Sequence, residues 1–305
     1  MAQEKYVAYV GTYTHENSIG IHVYDIDMEK GKLTERSVAP ISNPSNIAVA
    51  HSGKYLYSIE DEGAASFSID ENGDLTKINQ AWIGGMRACY VEIDSNDRYL
   101  FLAGFHDGKV TMMRLNEDGS IAGIADGVFH QGIGKSSVEK RMDPRVACTK
   151  LTPDEKYLCA VDWGLNQIKI YEVDYEEGKL HLYDILRFPF NSAPRRIRFS
   201  KDGKFAYVLE ETTNMVDIYT YELRDGKPVF EKIKTTSVLE KEDSLASGSA
   251  LEFAPDGKYL YVSLDGANEV VCLAVGEDGL LSIEDTTKIS GDYPKCITIL
   301  PDNKT

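Results

Sequence analysis

Basic residues are scarce in this chain: 33 Lys and Arg stand against 49 Asp and Glu, a formal charge of −16. Such a field repels polyanions, which argues against nucleic acid and anionic membranes as partners. Any cluster of arginines therefore stands out. No apolar run reaches the roughly 18 residues that a membrane span needs. The opening "MAQEKYVAYVGTYT" lacks the apolar core and small-residue cleavage site of a secretory leader, so a cytoplasmic protein is expected. Cysteine is sparse as well. The five (Cys89, Cys148, Cys159, Cys272, Cys296) are odd in number, widely spaced and include no CxxC, which reads as buried thiols in a reducing cytoplasm rather than a structural zinc site. The six histidines form no HExxH, and no segment of useful length carries a helical period. No cofactor and no metal are expected.

What the chain does have is a repeat. The core "DGKYLYV" at Asp256 recurs as "SGKYLYS" at Ser52, "NDRYLFL" at Asn96, "DEKYLCA" at Asp154 and "DGKFAYV" at Asp202. The copies lie about 44 to 58 residues apart, at or slightly above the spacing of propeller blades. Around each core an alternating segment leads into a tight polar turn, then the "YLYV" strand, a loop, a second alternating strand such as "KIYEV", and a Gly-containing turn such as "EEGKL". Asp-Gly and Asn-Gly between alternating runs are strong hairpin signals. Four antiparallel strands per repeat, stacked radially, predict an all-β fold, a β-propeller of four-stranded antiparallel blades forming a single domain over residues 1–305. The chain begins at a second-type strand and ends after a first-type one, "YPKCITILPDN", and so supplies about six blades' worth of strands. Pairing the two ends would close a ring of six; alternatively the sequence stops inside a seventh repeat.

Antiparallel order brings the start of each first strand and the end of each second strand to one face. In "SAPRRIRFSKDGKFAYVLEE" this returns Arg195 and Glu211 to each other. The equivalent position holds Arg145 in "DPRVAC", Lys295 in "YPKCIT", Arg87 in "GMRACY", and Ser45 and Ser249 in the other two repeats. Four cations around one mouth predict a positive field for an anionic small molecule, with arginine forks suited to phosphate or carboxylate. The competing expectation is that these arginines form structural ion pairs with acids such as Glu211 or Asp162. Glu211 is the candidate general base. His106 in "AGFHDGK" is a candidate acid or base on the same face. Asp162 and Asp265 stand in the loops there and are expected to contact substrate, while Asp162, Asn166, Asp265 and Asn268 could offer oxygens to Ca²⁺.

Several of these stretches resemble the lactonase family of β-propellers, which includes the propeller-type 6-phosphogluconolactonases and carboxymuconate-lactonizing enzymes. "YVGTYT", "LTPDEKYLCAVDWGLNQIKIYEVD", "APRRIRFSKDGKFAYVLEETTNMVDIY" and "GSALEFAPDGKYLYVSLDGANEV" are similar to that family's segments, in order, along nearly the whole chain. The resemblance implies a seven-bladed type with a shortened seventh blade, and hydrolysis of an anionic sugar-derived lactone by a monomer. It also implies functional roles for Arg195 and Glu211. The family's fourth-blade histidines fall at Arg145 and Ala147, and its sixth-blade arginine at Asp265; Arg145 would restore the lost cation. The alternatives are a non-catalytic binding or scaffold propeller and a Ca²⁺-dependent lactonase.

Overall fold

A computed structural model describes residues 6–15, 17–132, 143–241 and 245–300. Every regular element among them is a strand. The first sheet has three: β1 (Tyr6–Val10), β2 (Gly20–Asp27) and β3 (Lys32–Pro40). Four-stranded sheets follow in chain order. The second holds β4 (Ile47–Val49), β5 (Tyr55–Ile59), β6 (Gly63–Ile69) and β7 (Leu75–Trp82), and the third β8 (Tyr90–Ile93), β9 (Tyr99–Gly104), β10 (Lys109–Leu115) and β11 (Ile121–Phe129). The fourth holds β12 (Val146–Leu151), β13 (Tyr157–Asp162), β14 (Gln167–Asp174) and β15 (Lys179–Arg187). The fifth is built of β16 (Pro194–Phe199), β17 (Phe205–Glu210), β18 (Met215–Arg224) and β19 (Lys227–Ser237). The sixth is built of β20 (Ser247–Phe253), β21 (Tyr259–Asp265), β22 (Glu269–Val275) and β23 (Leu281–Lys288). Each sheet runs in sequence order, as hairpins in series require.

The turn chemistry explains the repeat. Between the first two strands, Gly53, Gly203 and Gly257 adopt φ of 69°, 72° and 78°, a left-handed turn that glycine enters without steric cost. Where the repeat reads "NDRY" or "DEKY", Asp97 and Glu155 take the same conformation at φ 55° and 57°. Second strands that are covered on both faces lose their alternation: all six residues of β9 and of β13 are buried. The last strands, such as β19 and β23, are largely exposed.

The chain divides into two compact units, residues 1–151 with 171–183, and residues 152–170 with 184–305. In the first unit, Tyr57, Ile59, Val91, Leu100, Leu102 and Met113 form one core cluster, and Ile21, Ala39, Leu56 and Phe67 another. In the second unit the core is built by Tyr207, Leu209, Val216, Ile218, Leu251, Leu260 and Val262. Buried tyrosines tie consecutive sheets within each unit. The Tyr57 hydroxyl donates to the Gly119 carbonyl at 3.1 Å, and Tyr207 to Gly279 at 2.9 Å. Burial keeps both phenols protonated and pushes their pKa well above the ordinary value.

The C-terminal stretch differs from expectation. Residues 291–300 form no strand, and the first sheet has no fourth strand among the described residues. A backbone hydrogen-bond ladder requires a partner in register, and here the segment is tied by isolated bonds instead. Ser263 Oγ donates to the Pro294 carbonyl at 2.8 Å, and the Tyr293 amide to Asn268 Oδ1 at 2.8 Å. Six-bladed closure by strand pairing of the two ends is therefore not what these residues form.

Candidate active site

In the second unit, the hairpin β16–β17 does return Arg195 to Glu211. Pro194 pairs with Glu210 and Arg196 with Leu209, so Arg195 is the extra residue of a bulge. Bulges re-aim a side chain out of the regular pleat. The guanidinium divides its donors: Nε donates to the Ser249 carbonyl at 3.1 Å, and Nη1 to Glu211 Oε2. The same Oε2 accepts from Trp163 Nε1 at 2.9 Å. Both bonds converge on one carboxylate oxygen, so Arg195 Nη2 and Glu211 Oε1 have no hydrogen-bond partner among the described residues. The two side chains are 18% and 21% exposed, a shielded ion pair with one donor and one acceptor left open.

The loop entering β16 is held by a repeated device. Ala193, directly before Pro194, has φ 51°, and its amide donates to Asn166 Oδ1 at 2.9 Å. Tyr293, directly before Pro294, has φ 56° and donates in the same way to Asn268. A non-glycine residue at positive φ ahead of a proline is sterically costly, and such conformations persist where the surroundings enforce them. Asn166 and Asn268, considered above as Ca²⁺ ligands, instead act as clamps that set the entry angle of Arg195 and Lys295. Lys295 pairs with Asp265, at the end of β21. Asp162 is fully buried, and its Oδ1 accepts the Leu165 amide at 3.0 Å. Its carboxylate shapes the loop that carries Trp163. Among the described residues, no group of three or more His, Cys, Asp or Glu side chains is arranged to hold a metal ion.

Glu210, next to the candidate base, faces the other way. Its carboxylate accepts from the Thr213 hydroxyl and lies near Asp217, which takes Lys232 Nζ at 2.6 Å and Thr235 Oγ1 at 2.6 Å. Burial first, then the charge of Asp217, raises the Glu210 pKa above its ordinary 4.5, although the Thr213 bond and the Lys232 charge act in the opposite direction. A folded-state pKa above the unfolded one means that folding takes up a proton. The stability this confers is complete below about pH 4.5 and is lost as pH rises through the folded pKa. Glu210→Gln should therefore flatten the fall in stability above pH 4.5 and leave the variant the more stable form at pH 8. Urea unfolding midpoints across that range check this.

In the first unit, Arg87 is closely paired. It donates from Nη2 to Ser45 Oγ at 2.7 Å and to the Asn43 carbonyl, sets Nε 3.5 Å from Asp61 Oδ1, and lies 5.1 Å from the centre of the Tyr13 ring. Beside it Asp61, Glu62, Trp82 and Met86 line an open depression. The Arg145 guanidinium stacks over Phe105 at 5.2 Å, and the exposed His106 stands edge-on to that ring at 5.9 Å. Arg87, Arg195 and Lys295 thus each carry a carboxylate, which lowers the net positive field each contributes.

Repeated four-stranded antiparallel sheets, in one of which the β16–β17 hairpin brings Arg195 to Glu211, define the blades of a β-propeller. The sequence matches the family described as lactonase, 7-bladed β-propeller, over residues 7–305. It is 31% identical to the 6-phosphogluconolactonase of Bacillus subtilis over 299 residues, 95% of this chain and 84% of that one. A Pseudomonas aeruginosa periplasmic gluconolactonase structure superposes with a TM-score of 0.89 at 27% identity, over 98% of this chain and 87% of that one. A Lactobacillus plantarum protein structure gives a TM-score of 0.88 at 28% identity, with the same coverage. The chain belongs to the lactonase family of seven-bladed β-propellers.

Proposed function

We propose that this protein hydrolyses the lactone of a sugar acid, with Glu211 as general base and Arg195 as the electrophilic group. The observation that carries the reading is the division of labour on Glu211: Arg195 and Trp163 fix Oε2, while Oε1 is left to accept a proton. Glu211 Oε1 takes a proton from water as the water oxygen bonds to the lactone carbonyl carbon. Arg195 Nη2 donates to the carbonyl oxygen as it becomes an oxyanion. Collapse of the tetrahedral adduct breaks the bond from carbon to ring oxygen, and the proton held by Glu211 passes to that oxygen. The product is the open-chain hydroxy acid. For an anionic lactone, Lys295, in the same unit as Arg195 and Glu211, holds the phosphate or carboxylate. Turnover of 6-phosphogluconolactone and gluconolactone, followed by release of acid, tests this; failure to hydrolyse either lactone removes the reading.

The pairing of Arg87, Arg195 and Lys295 with carboxylates favours a second reading, a propeller that binds sugar acids without turning them over. Calorimetric binding of a sugar acid by a protein that hydrolyses no lactone would establish it.

A further inference from the structure

Three consecutive residues of β20 touch the site. Ser247 pairs across the sheet with Asp265, the Gly248 amide donates to the Glu211 carbonyl at 3.1 Å, and the Ser249 carbonyl accepts from Arg195 Nε at 3.1 Å. The strand is bulged at this point: Gly248 pairs with Leu264 and Leu251 with Val262, so Ser249 and Ala250 lie opposite the single residue Ser263. The Ser263 hydroxyl, which could have served Ser249, instead accepts from the Ala250 amide at 3.0 Å and donates to Pro294. Two buried polar atoms are thereby left over. Among the described residues, Ser249 Oγ has no hydrogen-bond partner in a residue only 1% exposed, and Asp265 Oδ1 has none in a residue 8% exposed. Native proteins rarely leave such groups unmade, because a buried, unpaired polar atom loses its hydration for no return. Ser249 lies in the β20 segment that touches Arg195 and Glu211, and Asp265, at the end of β21, pairs with Ser247 of that segment.

We infer that Ser249 and Asp265 read hydroxyl groups of the ring substrate, the serine hydroxyl donating to a ring hydroxyl oxygen and Asp265 Oδ1 accepting from a second hydroxyl. This rests on the lactone reading above and adds to it the side chains that recognise the hydroxyls of the ring. The site selects a polyhydroxylated ring over an unsubstituted one by making bonds that the plain ring cannot offer. Asp265 supplies this acceptor with its charge held by Lys295. A site built on hydrogen bonds to substrate hydroxyls discriminates strongly against analogues that lack them, because its own groups are then left unpaired.

The test uses the whole chain with Ser249→Ala and Asp265→Asn, gluconolactone and unsubstituted δ-valerolactone as substrates, and gluconate as a binding probe. Ser249→Ala should leave the thermal midpoint unchanged or higher, since it removes an unsatisfied group. It should lower kcat/KM on gluconolactone by about 10- to 100-fold while leaving valerolactone unaffected. Asp265→Asn, which keeps the shape and loses the charged acceptor, should cost about tenfold on gluconolactone alone. Equal losses on both lactones, no loss on either, or a fall in thermal midpoint for Ser249→Ala would each overturn the assignment. If the wild type hydrolyses neither lactone, calorimetry with gluconate separates the two ideas. Weaker gluconate binding by Ser249→Ala would then uphold hydroxyl reading without catalysis, and unchanged or absent binding would end it.

Discussion

Glu211→Gln should lower kcat for the proposed lactone hydrolysis by about 100- to 10,000-fold, the range a positioned general base contributes, and leave KM nearly unchanged. The amide keeps the length of the side chain and an oxygen for the Trp163 and Arg195 donors, so binding geometry survives while the capacity to take a proton does not. Acid release followed by titration gives kcat, and a calorimetric titration with the product acid gives the binding term. An undiminished kcat removes Glu211 from the base role.

Arg195→Lys is the second large effect, about 100-fold in kcat, even though charge is conserved. The guanidinium donates from Nε to the Ser249 carbonyl and from Nη1 to Glu211, and the proposed reaction adds a third direction, Nη2 towards the developing oxyanion. A single ammonium is too compact to hold all three. Combining this change with Glu211→Gln should cost less than the product of the two separate losses, because each residue acts through the other. Multiplicative losses would mean that the pair does not work as a unit.

The strands, their turns and the Arg195–Glu211 approach were all legible in the sequence, because each depends on local rules. A left-handed turn demands Gly or a tolerant substitute, and a two-stranded hairpin must bring its outer ends together. Trp163 and Ser249 were beyond those rules. Their contacts with Glu211 and Arg195 join different sheets, and the bulges that aim Arg195 and Ser249 are shifts of a single residue in register, which alternation does not encode. The partner of each cation was hidden for a similar reason: a count of cations does not say which carboxylate lies beside each. Asp61 and Asp265 stand in loops and strand ends whose partners are set by tertiary packing. One sign was available for the clamps. Asn occurs in "GLNQI" and "GANEV" at the same point of the repeat, the residue type that best tolerates the left-handed conformation.

Trp163 also gives the molecule an optical handle. Its indole N–H bonds the same carboxylate oxygen that Arg195 grips, so any change in the charge or position of Glu211 alters the polarity that its fluorescence senses. The chain has only one other tryptophan, Trp82, which is 68% exposed. Trp82→Phe would make Trp163 the sole emitter, and its spectrum should then shift on adding gluconate and on Glu211→Gln. Titrating emission against ligand would follow occupancy of the site with no substrate turned over and no label attached.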